Sequence, residues 1–247
     1  MGLLSAGLTD IGLKRSKNQD SIYVNNEQGL YIVADGMGGH AGGETASALA
    51  VQEIPKYVVE GKNETPQEIT KNSIRRANQV IKKVGTDNPE LKGMGTTVVQ
   101  LFFKSRFLYV GNLGDSRAYL VNKKKVYQLS RDHSLIQEKI NLNLYTREQA
   151  AADPNKNVLI RTCGLEDDVE VDVYAYKVHR NDIFFLCSDG LHGKVCDSDI
   201  LHIINKNIPD PSKASEEVLQ KTVTTLVAQA NANGGNDNIS VIMVLAQ

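Results

Sequence analysis

An α+β fold, with antiparallel sheets covered by helices, is what the order of patterns along these 247 residues predicts. Three observations carry it. Segments of strand character at 96–103, 107–110, 116–121 and 126–129 are separated only by short Gly, Asn and Lys turns, the pattern of an antiparallel meander. Helical patterns stand at the two ends of a long run of strands, which argues against a doubly wound parallel sheet. Hydrophobic residues make up 41% of the chain with no composition shift or low-complexity linker, so 1–247 reads as a single domain with one sizeable core.

In order, strands are predicted at 4–8 and from Ser21, joined by a polar loop. A third, apolar strand from Tyr31 runs into Asp35 and the glycine-dense loop Gly36-Met37-Gly38-Gly39-His40-Ala41-Gly42-Gly43. Residues 44–54 have helical character, with small Ala46, Ala48 and Ala50 for close packing, and Pro55 is expected to end or kink that helix. Thr65-Pro66-Gln67-Glu68 is a capping box with Pro at the first helical position, and Ile69, Ala77, Val80, Ile81 and Val84 continue it as one apolar stripe. After the meander, Asp132-His133-Ser134 starts a short helix. Residues 145–154, with Thr146 and Gln149 as a second capping box and Asp153-Pro154 at the end, form a helical excursion. The stretch 139–157 is therefore expected to be a small surface flap. Strands are predicted at 158–162, 169–178 and 183–187, helices at 199–205 and 213–230, and a closing strand at 239–245.

Charge and cysteine usage exclude several classes. A formal net charge of −1 and a pI near 6.5 supply no basic field for nucleic acid or an anionic membrane. Lys123-Lys124-Lys125 reads as a solvated hairpin turn. Cys163, Cys187 and Cys196 form no CxxC pair and are odd in number, which argues against a disulfide framework or zinc knuckle and for a reducing compartment. With no targeting pattern and no segment of membrane-spanning length, a soluble, cytoplasmic protein is the expectation.

Acidic residues carry the chemistry. Asp35-Gly36 alone is most often just a turn. Yet Asp20, Asp115, Asp189 and Asp237 also edge apolar strands beside Gly or Asn. Converging strand ends would cluster these carboxylates, which repel one another unless a cation sits between them, and all-oxygen sites suit hard divalent ions such as Mg²⁺ or Mn²⁺. The residues thus point to a two-metal hydrolase centre.

The motifs Gly12-x-x-Arg15-x-x-Asn18-Gln19-Asp20, Asp35-Gly36-Met37-Gly38-Gly39-His40, Gly93-Met94-Gly95-Thr96-Thr97, Val110-Gly111-Asn112-Leu113-Gly114-Asp115-Ser116-Arg117, Ser130-Arg131-Asp132-His133-Ser134, Cys187-Ser188-Asp189-Gly190-Leu191 and Gly235-Asn236-Asp237-Asn238 span nearly the whole chain. In this order they resemble the bacterial metal-dependent serine/threonine phosphatases of the protein phosphatase 2C family. The resemblance implies a four-layer α/β/β/α sandwich, two stacked antiparallel sheets flanked by helices, with the metal centre at one edge. It implies Asp20, Asp35, Asp189 and Asp237 as metal ligands, with Asp35 bridging two ions and Gly36 offering its carbonyl. Asp115 would serve a weaker third ion, Arg15 would hold the substrate phosphate, and His40 is the candidate general acid. Two departures from the eukaryotic pattern are Met37, where many members have His, and Gly193, where they tend to carry an acidic residue.

Two divalent ions acidify a water and aim it in line at phosphorus, so no protein nucleophile is needed. In agreement, no cysteine has an Arg six residues later, and neither Gly-Asp-x-His-Gly nor Gly-Asn-His-Glu occurs. The sequence therefore reads as a monomeric phosphatase acting on phosphorylated proteins, the products of a serine/threonine kinase. Phosphatase action on small phosphate esters and a non-catalytic phosphoprotein-binding module are the alternatives, the latter disfavoured by the full carboxylate set and Arg15.

Overall fold

Alternation along the strands explains the architecture. In β3 (Leu30–Met37) Leu30, Ile32 and Ala34 face one way and Tyr31 and Val33 the other; in β11 (Ile239–Ala246) Val241 and Met243 alternate with Ile242 and Val244. Strands apolar on both faces must be covered on both. The computed structural model describes all residues except Met1, Lys62, Lys123, Lys124, Arg147, Glu148, Ala151, Ala152, Pro154, Lys156 and Asn157, and of Gly39, His40 and Ala41 the backbone alone.

One sheet runs β1 (Leu3–Asp10), β11, β10 (Ile183–Cys187), β7 (Arg117–Asn122), β8 (Lys125–Gln128). The other runs β2 (Asp20–Asn25), β3, β5 (Val98–Lys104), β6 (Phe107–Leu113), β9 (Asp172–Lys177), with the two-residue β4 (Gly95–Thr96) also pairing β3. Every pairing is antiparallel. Tyr31, Val99, Leu101, Phe184 and Val244 fill the space between the sheets. Helices α1 (Gly39–Glu60) and α2 (Pro66–Asp87) cover the second sheet, where Ile54, Ile74 and Ile81 meet Ile32 and Val98. Helices α5 (Asp197–Asn207) and α6 (Glu216–Ala232) cover the first, where Ile204 and Leu226 meet Phe185 and Met243. The expected four layers are therefore present, and each fully buried Leu, Ile or Phe contributes roughly 1.5–3 kcal/mol.

Local signals held at α2: Thr65 Oγ1 accepts the Glu68 N–H at 3.2 Å while a Glu68 carboxylate oxygen accepts the Thr65 N–H at 2.8 Å. Such a cap is worth about 1 kcal/mol. The short α3 (Leu135–Asn141) starts on a Ser134 cap, and within the expected flap Thr146 and Gln149 exchange their capping hydrogen bonds. The remainder of that flap's helical excursion falls largely outside the described residues, as do Lys123 and Lys124 of the expected hairpin.

Three expectations are corrected. Pro55 lies inside α1, which continues to Glu60, because fully buried Ile54 and the packing on α2 outweigh one missing backbone hydrogen bond. The predicted strand 96–103 is broken at Thr97, whose N–H donates to the Asp35 carbonyl at 2.8 Å and whose hydroxyl accepts the Asp35 N–H at 3.0 Å. No strand forms at 158–162. Leu159 makes only a single bridge to Ser134, and Val158 and Ile160 are exposed, so that apolar run is surface rather than core. Among the described residues no helix is long and apolar enough to cross a membrane.

Candidate metal centre

The sheet register brings the predicted aspartates to one end of the sandwich. Asp20 opens β2 and stands directly across from Asp35 in β3. Asp189, the first residue of α4 (Asp189–His192), follows β10, and Asp237 precedes the neighbouring β11. Asp115 sits in the turn from β6 to β7. Asp35, Gly36, Asp115, Asp189 and Asp237 line a cleft of about 570 Å³ together with Arg15 and Lys17, while Asp20 is only 7% exposed and does not line it. The chain turns from β3 into α1 at Gly38, whose φ of +114° suits glycine alone. A Cβ at Gly36 would strike the Gly43 carbonyl, which is why this turn needs glycine beside Asp35.

Desolvation dominates the electrostatics. It pushes the Asp20 and Asp189 carboxyls up to about 6 and Asp115 up to about 7, with the neighbouring carboxylates adding to each rise. Asp35 is driven well above the carboxylate range by desolvation and then by Asp20, Asp189, Asp115 and Asp237. Asp20 Oδ2 accepts hydroxyl hydrogen bonds from Ser188 at 2.8 Å and Ser240 at 2.7 Å, whereas Asp20 Oδ1 and Asp189 Oδ1 are buried without any hydrogen-bond partner. Buried acceptors of this kind cost free energy unless satisfied. Crowded anions, orphaned oxygens and an all-oxygen donor set fit hard divalent cations. The carboxylates are spread along the cleft, and among the described residues no three acidic, His or Cys side chains enclose a single point.

Arg15, half exposed, donates from its Nη2 to Asp237 Oδ2 at 2.6 Å, and the Asn238 N–H donates to Asp237 Oδ1 at 2.9 Å. Both Asp237 oxygens are thus engaged, one of them by the residue predicted to hold phosphate. Arg117 is a structural donor, bound to both Asp132 oxygens and to Tyr119, and Arg161 pairs with Glu170 and Asp172. His192 Nε2 lies 3.1 Å from the Asp115 carbonyl, and burial lowers its pKa to about 3, leaving it neutral. His40 begins α1 by its backbone; its side chain lies outside what the structure describes. At Gly193 a Cβ would come within 2.8 Å of the Asp189 carbonyl, a physical reason for glycine at this position.

The sequence profile of the protein phosphatase 2C family matches residues 14–239. The chain belongs to the protein phosphatase 2C family. Within it, the serine/threonine phosphatase Stp of Listeria monocytogenes is 34% identical over 243 residues, 96% of this chain and 93% of that protein. The solved serine/threonine phosphatase PstP/Ppp of Mycobacterium tuberculosis superposes with a TM-score of 0.89 at 29% identity over 100% of both chains. The catalytic domain of PstP solved in complex with two manganese ions superposes with a TM-score of 0.85 at 29% identity, over 99% of this chain and 98% of that one. The protein phosphatase 2C fold is thereby this chain's own. Sequence reasoning left unassigned several groups around the aspartates of this family member, namely Thr97, Ser188, Asn238 and Ser240. Ser240 was detectable as the single hydroxyl in the otherwise apolar run Ile239–Ala246.

Proposed function

We propose that the chain is a metal-dependent protein serine/threonine phosphatase that hydrolyses phosphoserine and phosphothreonine with water as nucleophile. The observation that carries this reading is the pair of partnerless buried oxygens, Asp189 Oδ1 in the wall of the cleft that Arg15 also lines and Asp20 Oδ1 behind it, across the strand pair from Asp35. None of the three cysteines lines that cleft. Asp20, Asp35, Asp189 and Asp237, with the Gly36 carbonyl, would hold two Mn²⁺ or Mg²⁺ ions, and Asp115 a weaker third. Bound there, divalent ions supply Lewis-acid stabilisation of the phosphoryl oxygens and a water acidic enough to react at neutral pH. Arg15 orients the phosphate, and its planar fork suits two phosphate oxygens. His40 takes the part of the acid that protonates the departing serine or threonine oxygen.

In this reading 1–247 is one catalytic unit, monomeric and cytoplasmic, acting on the products of a serine/threonine kinase. The stretch 139–157 is its flap: Lys139 ties to Asp153 at 3.1 Å and lies 4.5 Å from the Tyr145 ring centroid, with Leu142 and Leu144 exposed. The test is turnover of a phosphopeptide beside an aryl phosphate. Both should require added Mn²⁺ or Mg²⁺ and stop with chelator, and Leu144→Ala should depress the peptide reaction more than the aryl one. Full turnover by metal-stripped protein would sink the reading, and equal effects of Leu144→Ala on both substrates would remove the flap.

A second prediction isolates Arg15. Its guanidinium spends Nη2 on Asp237 and, half exposed, carries further N–H donors with which to meet phosphate oxygens. A charged hydrogen bond is worth about 1.5–3 kcal/mol, so Arg15→Ala should lower kcat/KM by roughly one to two orders of magnitude, with Arg15→Lys recovering part. A change within twofold on both substrates would show that Arg15 does not hold phosphate.

A further inference from the structure

Beneath the cleft lies a chain of polar groups whose direction is fixed. Asn18 Oδ1 accepts the Asp20 N–H at 3.1 Å, which orients the amide so that its Nδ2 donates to Thr9 Oγ1 at 2.8 Å. Thr9 Oγ1 and Ser240 Oγ are 2.8 Å apart, and either atom has the geometry to donate. Ser240 has one hydroxyl proton, and that proton faces Asp20 Oδ2 at 2.7 Å. Thr9 must therefore be the donor to Ser240. A parallel branch runs from the Ser240 N–H to Ser188 Oγ at 3.0 Å and on to the same Asp20 oxygen at 2.8 Å. Ser188 and Ser240 are fully buried.

We infer that Asn18, Thr9, Ser240 and Ser188 form a one-way donor relay that holds the Asp20 carboxylate one-sided, Oδ2 closed by two hydroxyls and Oδ1 the single oxygen left for a cation. These are positioning residues, and the inference rests on the metal reading above. The relay draws on both sheets, since Thr9, Ser188 and Ser240 belong to or adjoin β1, β10 and β11, whereas Asp20 opens β2. Every hydroxyl in it both accepts and donates, so each polarises the next, and together they fix the rotation of the Asp20 carboxylate. Groups that orient a metal ligand from behind are typically worth about 10–100-fold in metal affinity.

The test is Mn²⁺ binding measured by titration calorimetry on metal-stripped protein, run beside the Mn²⁺ concentration needed for half-maximal turnover. Ser240→Ala removes a donor from Asp20 Oδ2 and should weaken Mn²⁺ binding about 10–100-fold. Thr9→Val keeps the shape and cuts the relay at one point, removing the donor to Ser240 and the acceptor of the Asn18 amide; it should weaken binding by about 3–10-fold, a share of the same effect, while Thr9→Ser restores the parent value. Both losses should appear as a raised Mn²⁺ requirement rather than as a lower rate at saturating Mn²⁺. Thermal melting in chelator separates folding from binding, and should Ser240→Ala fail to fold, Thr9→Val with its Thr9→Ser rescue decides. Parent-like Mn²⁺ affinity in Thr9→Val, or equal losses in Thr9→Val and Thr9→Ser, would reduce the relay to packing. Absence of Mn²⁺ binding by the parent would overturn the metal reading first and this inference with it.

Discussion

Asp189→Asn should lower kcat/KM on any phosphate ester by about three orders of magnitude or more while the protein keeps its near-ultraviolet circular dichroism. The change conserves volume and removes one of the anionic groups whose repulsion acts on Asp35. A metal centre contributes several kcal/mol of transition-state stabilisation, and about 4 kcal/mol corresponds to that thousandfold loss. Folding should survive because Asp189 Oδ1 has no protein partner to lose and the amide relieves repulsion with Asp35 and Asp237. Parent-like turnover at saturating Mn²⁺ would mean that Asp189 is a turn residue and not a ligand.

Stability against pH should run in an unusual direction once metal is removed. Asp20 and Asp189, raised to about 6, and Asp115, raised to about 7, keep protons in the folded chain that the unfolded chain releases near the ordinary 3.8. Where the folded state binds more protons, stability falls as pH rises, so chelator-treated protein should lose stability between about pH 4 and pH 7. A shift of about two pH units is worth about 3 kcal/mol, and the coupling among these carboxylates makes that the scale of the whole effect rather than of each member. Saturating Mn²⁺ should cancel the decline, since a cation stabilises the ionised forms, so its stabilising effect should be greater at pH 7 than at pH 5. Urea unfolding across this range, with and without Mn²⁺, measures it; constant or rising stability in chelator would show that the aspartates do not oppose one another in the fold.

The sequence was most informative where local chemistry and burial agree. The capping box at Thr65, the apolar runs of β10 and β11 and the position of Asp35 at the end of an apolar strand were all readable, because each is decided within a few residues. Pro55 was misjudged because buried Ile54 and the packing of α1 on α2 override a local rule. The strand expected at 158–162 does not form, because hydrophobicity alone does not distinguish a run that pairs in a sheet from one whose Val158 and Ile160 face outward. Within the centre, the acidic residues announced themselves by charge beside glycine. The Arg15–Asp237 pair joins residues 222 apart in sequence and the Ser240–Asp20 bond residues 220 apart, so both exist only once the strands are in register.

That register has a mechanical consequence. Asp20 and Asp35 belong to one sheet, whereas Asp189 and Asp237 flank strands of the other. The interior between the sheets is an apolar contact of Tyr31, Val99, Phe184, Ile242 and their neighbours, which resists separation but supplies few directional bonds against sliding. A divalent ion gripping carboxylates from both sheets would act as a clasp at one end of two stacked plates, converting a slippery contact into a fixed one. Pulled by force in shear along the strands, the protein should therefore yield at markedly higher load with Mn²⁺ than with chelator, and its first failure should move from the clasped end to the opposite end, where the hairpin tips lie.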